Sequence, residues 1–413
     1  MRGGRFSSAC ALLLSLVVAR HSAAVVGALD QTPGASVLFP YFEVDLGDDQ
    51  GVTTLLALQN ASATANLTRW TLWTDLGLPT LSFDTYQTGF DVTTINLRSL
   101  FVDGFIPQTA SDGQDPMDTI SPQGPFSQDI NFATCSGQLP PLNAAVVGST
   151  LTDLRAAHTG LESPTFFTAG RCGGFVHGDN IARGYVTVDS MIMCQGVGLG
   201  PNPTTASYFT TTWTGNTLIG DFFFVHPARN LMETEAAVPL EAPIPAFTPG
   251  TPTFYGNLNP VFGSAADNRE PLATTWAASV RGQASDLVVW RDGRNIAPFV
   301  CGTTPFNSSF DQTQIVGFDM ESTGAPVIGE QPFTLRTNRT AVGPATGLDM
   351  PRDGWAYLNL NHPGLGSFPG GVKQSWVVGR RVLEGAGLMS IGVTAMPLGK
   401  VAAGDNPVIL PNP

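Results

Sequence analysis

The chain has 413 residues, of which 13% are charged and 42% hydrophobic, with 46 Gly and 32 Pro. So little charge, with so many turn-forming residues, excludes a helical bundle, which needs Glu, Lys, Arg and Ala in quantity. A net charge of −13 at pH 7, with Lys373 and Lys400 as the only lysines and no basic block, argues against nucleic acid or anionic lipid as a partner.

The N-terminus carries a targeting pattern. Arg2 and Arg5 precede an apolar run from Ala9 to Val18, and small residues follow. Basic flank, short apolar run and small-residue exit predict a secretory signal peptide over residues 1–28, cleaved after Ala24 or Ala28. No later stretch approaches the ~20 apolar residues of a membrane span, so no membrane insertion is expected. The mature chain keeps Cys135, Cys172, Cys194 and Cys301. Four cysteines in an exported chain predict two disulfides, for which three connectivities exist. The favoured pairing is Cys135–Cys172, stapling one long loop, with Cys194–Cys301, both on core-directed faces.

Early in the mature chain, DLGDDQG places Asp45, Asp48 and Asp49 before Gly51. Carboxylates with a glycine are elements of a calcium loop, but the full spacing with a distal Glu is missing, and a solvated turn accounts for them as well. Period-two alternation then dominates. Leu81 and Phe83 alternate with Ser82 and Asp84, and Ile95 and Leu97 with Thr94, Asn96 and Arg98. Such runs, broken by Gly, Pro and Asn, are strands.

The interval from about 104 to 180 reads as a long disulfide-stapled insertion. It holds a second acidic loop (Asp112, Asp115, Asp118) and the best helix candidate, LTDLRAAH from Leu151 to His158. Near its end, CGGFVHGDN sets His177 and Asp179 beside Cys172. A His-x-Asp pair has the chemistry to help hold a metal or exchange protons, although an isolated pair is more often structural. YVTVDSMIMC resumes the strand pattern. Five prolines from Pro239 to Pro252 then make Glu235 to Pro252 an extended linker or edge crossover, with a boundary near residue 245.

The second half echoes the first. LTRWTLWTDLG and DLVVWRDGR each end an apolar strand in Trp-x-Asp and a turn, at Trp73 and Trp290. ARGYVTVDS likewise parallels DGWAYLNLN. Trp73-x-Asp75 is therefore read as a strand end that opens a hairpin once per unit. No Gly-x-Ser-x-Gly elbow, HExxH or P-loop occurs. The seven Trp fall mostly within strand patterns and fill a core, unless a coplanar set is exposed for glycan binding. Trp70 and Trp73 point to opposite faces.

ASVLFPYFEVDL, GDNIARGYVTVD, ADNREPLATTWA and DLVVWRD, with the long run from Asn60 to Arg98, resemble a group of secreted bacterial proteins without assigned activity. The first half also resembles Ig-like modules of bacterial surface proteins. The resemblance implies export and a β fold, and it carries over no functional residues.

The fold class expected is all-β: two antiparallel β-sandwich units, Ig-like or jelly-roll-like, with long loops and little helix, at 29–245 and 246–413. The expected role is an exported, non-enzymatic structural, adhesive or binding protein, secreted or held at the cell envelope, with a glycan or envelope component as partner. The alternatives are a carbohydrate-binding protein using exposed aromatics and a hydrolase with dispersed carboxylates. Calcium at the acidic turns is the one cofactor these residues allow.

Overall fold

The computed structural model describes residues 32–107, 146–205, 207–243, 253–256, 267–281, 285–293, 297–303, 312–319, 324–326, 333–343, 346, 348, 353–361, 374–383 and 389–399. The signal segment, the Asp112–Asp115–Asp118 loop and Cys135 lie outside them.

The first half supplies strands β1 (Ser36–Asp45), β2 (Thr53–Asn60), β3 (Asn66–Thr74), β4 (Pro79–Gln87), β5 (Val92–Asn96), β6 (Arg171–Cys172), β7 (Ile181–Met191), β8 (Leu218–His226), β9 (Leu231–Ala236) and β10 (Val238–Leu240). The second supplies β11 (Thr275–Arg281), β12 (Ser285–Arg291), β13 (Phe299–Val300), β14 (Gln314–Asp319), β15 (Gly324–Pro326), β16 (Thr337–Ala341), β17 (Asp353–Asn359), β18 (Ser375–Leu383), β19 (Met389–Thr394) and β20 (Met396–Gly399). Helix α1 (Ser149–His158) coincides with the expected helix, and α2 (Pro164–Phe167) is one turn.

Among the described residues all pairings are antiparallel. The first half forms sheets ordered β10-β1-β7-β3-β4 and β5-β2-β8-β9; the second forms β20-β11-β17-β14-β15 and β16-β12-β18-β19. Setting aside the small β6–β13 ribbon, the two halves place their strands in the same order in both sheets. In the first pair of sheets Phe39 of β1 meets Phe222 of β8 edge-on at 6.4 Å, and in the second Trp276 of β11 meets Trp376 of β18 at 5.2 Å. This repeat corrects the sequence alignment. Trp73 lies on the third strand of its set and Trp290 on the second, so the Trp-x-Asp echo joins non-equivalent strands. The ARGYVTVDS and DGWAYLNLN match does fall on equivalent strands, β7 and β17.

The opposed faces of Trp70 and Trp73 explain how the halves join. Trp70 stacks between Phe39 and Phe83 inside the first sandwich. Trp73 stacks on Tyr185 at 5.6 Å, and Tyr185 meets Trp290 edge-on at 6.0 Å. The outer face of β3 and β7 is thus covered by the second half, and β1, β3 and β4 are buried on nearly every residue. The main core accordingly contains residues of both halves.

The proline-rich crossover begins later than expected. Glu235 and Ala236 belong to β9, and Pro239 sits in β10. Because β10 is an edge strand pairing only with β1, the missing proline N–H costs no ladder bond. The expected disulfide pairing is also overturned. Cys172 of β6 is bonded to Cys301, next to β13, with Cα atoms 5.1 Å apart. Cys194 is disulfide-bonded as well, so neither Cys135–Cys172 nor Cys194–Cys301 forms. The strand-face argument missed that β6 and β13 pair directly, Phe299 opposite Cys172, which brings distant sulfurs together.

A buried polar knot stitches the crossing. Asp189 of β7 accepts hydrogen bonds from the hydroxyls of Ser36, Tyr208 (2.6 Å) and Tyr255 (2.8 Å). Arg269 donates from Nε to Ser36 Oγ at 3.0 Å. Nearby Asp267 accepts from Thr253 Oγ1, at 2.7 Å, and from the Arg269 backbone N–H, while its Oδ1 has no hydrogen-bond partner among the described residues. Burial pushes its carboxyl up to about 7, against the pull of Arg269. A carboxyl raised in the folded state stabilises fully below its unfolded value, and that contribution is lost as pH rises through the folded value. Asp267→Asn should therefore remove about 2–4 kcal/mol of stability loss between pH 4 and 8. Urea midpoints of both proteins across that range test this, and parallel profiles would refute it.

Candidate functional site

The β8–β9 hairpin builds one wall of a cleft. In DFFFVHPARN, Phe222 and Phe224 alternate inward, and Pro227 ends the strand because it has no N–H to donate. A short turn over Pro227–Arg229 follows, and Asn230 at φ +49° reverses the chain, a conformation Asn tolerates better than most residues. On β9, Leu231, Glu233 and Glu235 share one face by strand alternation, with Met232 and Thr234 exposed on the other. Glu233 lies opposite Phe224, and Glu235 opposite Phe222.

The cleft opens where the second sandwich closes over this hairpin. Glu43, Val52, Ile181, Phe224, His226, Arg229, Leu231 and Glu233 line it from the first half, and Arg339 of β16 and Arg380 of β18 from the second. Its volume is about 260 Å³.

Opposite charges meet across the seam. Glu43 pairs with Arg339 and receives the Tyr41 hydroxyl at 3.2 Å. Arg380 pairs with Glu233 and lies 4.7 Å above the Phe224 ring. Asp286 of β12 bridges both arginines, at 2.6 Å from Arg339 Nε and 3.4 Å from Arg380 Nη1. Burial drives four groups of this cluster toward their neutral forms, while the carboxylates of Glu43 and Asp286 raise Arg339 against its own burial. Burial raises Asp286 even beside Arg339, lowers Arg380, raises the Tyr41 phenol, and pushes Glu235 up to about 7. Apart from Glu233 Oε2, which meets Arg380 in the ion pair, three buried polar atoms on the lining residues have no hydrogen-bond partner among the described residues: Glu233 Oε1, Arg380 Nε and His226 Nδ1. Such atoms carry a desolvation cost that water or a ligand relieves.

None of the metal candidates lines this cleft, and Asp45, Asp48, His177 and Asp179 each have a structural task. Asp45 Oδ1 accepts from the backbone N–H groups of Gly47 and Asp48, and Asp48 Oδ1 from that of Gln50. These carboxylates cap the β1–β2 turn, with Asp49 exposed beside them. The expected His177–Asp179 pair separates. His177 Nε2 bonds Asp75 Oδ2 at 2.8 Å, while Asp179 accepts two hydrogen bonds from the Arg183 guanidinium, both 2.7 Å. Asp75 also accepts from the Phe175 N–H, and its carbonyl receives the N–H groups of Arg336 and Thr337 across the halves. His158 is buried between Thr80 Oγ1 and the Arg183 carbonyl, and burial lowers its pKa to about 4. Among the described residues no three His, Cys, Asp or Glu side chains are grouped to hold a metal.

The aromatics do not form a platform among the described residues. Trp70, Trp73, Trp276, Trp290 and Trp376 are buried, Trp355 stacks on Phe318 at 4.2 Å, and Trp213 alone is 37% exposed. The cleft residues Glu43, His226, Arg229, Glu233, Arg339 and Arg380 carried no motif. The signal present was Arg380 within SWVVGRRVL, a charge inside an apolar strand in a chain with few cations. No helix among the described residues is long and apolar enough to cross a membrane. Compared with known proteins, the chain matches no family, no curated protein and no solved structure, so the cleft stands on its own geometry.

Proposed function

We propose that this chain is an exported, non-enzymatic binding protein whose ligand occupies the cleft between the two sandwiches. One observation carries the reading: buried charged side chains from both halves converge on an open cleft while three of their polar atoms lack partners. A seam built only for adhesion between halves would be expected to close over such atoms. Both cleft glutamates are engaged by arginines, whereas a general acid needs an apolar, unpaired setting. That favours binding over hydrolysis. The basic–apolar–small N-terminus supports export, and so does the Cys172–Cys301 bond, since structural disulfides persist in oxidising compartments. The resemblance of the sequence to secreted bacterial proteins supports a role at or outside the cell envelope.

The test is a thermal-shift screen of the mature chain against amino acids, dicarboxylates, nucleotides, neutral sugars and sugar acids. At least one class should raise the melting temperature of the native protein, and Glu233→Gln should abolish that rise. If no class shifts the native protein, or if the shift survives in Glu233→Gln, the cleft is not the binding site.

A further inference from the structure

We infer that the cleft takes a single acidic sugar unit, a pyranose bearing a carboxylate, either free or as the terminal residue of an acidic polysaccharide. This rests on the cleft being the binding site.

The unpartnered atoms define the chemistry. Glu233 and Arg380 are 5% and 3% exposed, so their orphaned atoms are shielded from bulk water. Glu233 Oε1 accepts only, and Arg380 Nε donates only. A hydroxyl both donates and accepts, so neighbouring hydroxyls on one ring satisfy the pair together. A simple carboxylate satisfies Arg380 but leaves Glu233 facing a like charge. An ammonium satisfies Glu233 but repels Arg380.

Charge on the rim adds the acid group. Glu43 is matched with Arg339, and Glu233 with Arg380. Arg229 is exposed at the mouth, and no ion pair or hydrogen bond of its side chain occurs among the described residues. Among the described residues it is the cleft-lining guanidinium without a carboxylate partner, whereas Arg339 and Arg380 share Glu43, Glu233 and Asp286. In a chain of net charge −13, a free guanidinium beside a cleft is a local attractor for an anion. His226, with its unpartnered Nδ1 on the same hairpin, adds a second polar contact there.

Size and surface agree. The volume, about 260 Å³, lies just below the 300–1,000 Å³ typical of drug-sized ligands, which limits the occupant to about one ring. Val52, Ile181, Leu231 and the Phe224 edge give an apolar side to meet the C–H face of a pyranose.

Calorimetric titration of the mature chain with glucuronate, galacturonate, trigalacturonate, glucose and propionate tests the inference. A uronate should bind about tenfold more tightly than glucose, the worth of one charge-assisted contact, and propionate should bind neither measurably nor competitively. Arg229→Ala, at an exposed position, should erase the difference between uronate and glucose. Tighter binding of trigalacturonate than of galacturonate identifies the polymer end as the source; equal binding identifies the free sugar. Equal affinity for uronate and glucose in the native protein overturns the acidic class. Propionate binding as well as uronate overturns the sugar, while the cleft stands if Glu233→Gln removes that binding. Silence from every compound here and in the thermal screen defeats both readings.

Discussion

Replacing Cys172 and Cys301 with serine is expected to lower unfolding stability by about 3–5 kcal/mol, the range for a native disulfide closing a long loop. The two cysteines are 129 residues apart in sequence, so the reduced unfolded chain regains much conformational freedom. The bond also ties β6, ahead of β7 in the first sandwich, to β13 in the second half, where the ribbon has only two residues per strand. Without the bond, so short a ribbon lacks the contacts to hold itself together. Guanidinium unfolding of the native and double-serine proteins measures the loss, and a change below about 1 kcal/mol would show that the seam is held by packing alone. Non-reducing peptide mapping gives an independent check. It should recover Cys172 joined to Cys301, and a peptide joining Cys194 to Cys301 would overturn the arrangement.

A second large effect is expected at Arg69. Its side chain and that of Asp84 are fully buried and meet at 2.8 Å. Asp84 Oδ2 also accepts the N–H groups of Gln195 (2.5 Å) and Gly196 (2.7 Å). Arg69 donates to the carbonyls of Pro201 (2.7 Å) and Gly196 (2.9 Å). The pair therefore pins the loop after β7 onto the outer face of β3 and β4. Asp84→Ala leaves a guanidinium buried with no counter-charge and two backbone N–H groups without an acceptor, a loss of about 3–5 kcal/mol. Replacing both partners with apolar residues removes the stranded charge, so Arg69→Met with Asp84→Leu should recover much of that loss. Denaturant melts of Arg69→Met, Asp84→Leu and the double complete the cycle. A double variant as unstable as the sum of its singles would show that the charges act independently.

These residues show what was legible in the sequence. Period-two alternation identified β4 and put Leu81 and Phe83 on the core face. It also set Ser82 and Asp84 apart from them, yet both are buried. Polarity reports which face a residue occupies. It does not report that a loop from residue 195 onward, or a second sandwich, will cover that face. Trp73-x-Asp75 was legible as a hairpin end, since the β3–β4 turn has Gly77 at φ +83°. At Trp290-x-Asp292 the same pattern only ends β12, whose neighbours are β16 and β18. A Trp-x-Asp turn is local chemistry, and the strand that follows it is not.

The sequence by itself determined the β character, the turn after Trp73 and the face preference of the alternating strands. Each follows from interactions a few residues apart: alternation against water, glycine at positive φ, proline at an edge. Only the tertiary structure decided which cysteines bond, that His177 takes Asp75 rather than Asp179, and that six scattered residues share a cleft. Those facts depend on contacts between segments more than a hundred residues apart. Glu43 reaches Arg339 only after two sandwiches have packed together, because the free energy that joins them comes from burying Trp73, Tyr185 and Trp290 at one seam.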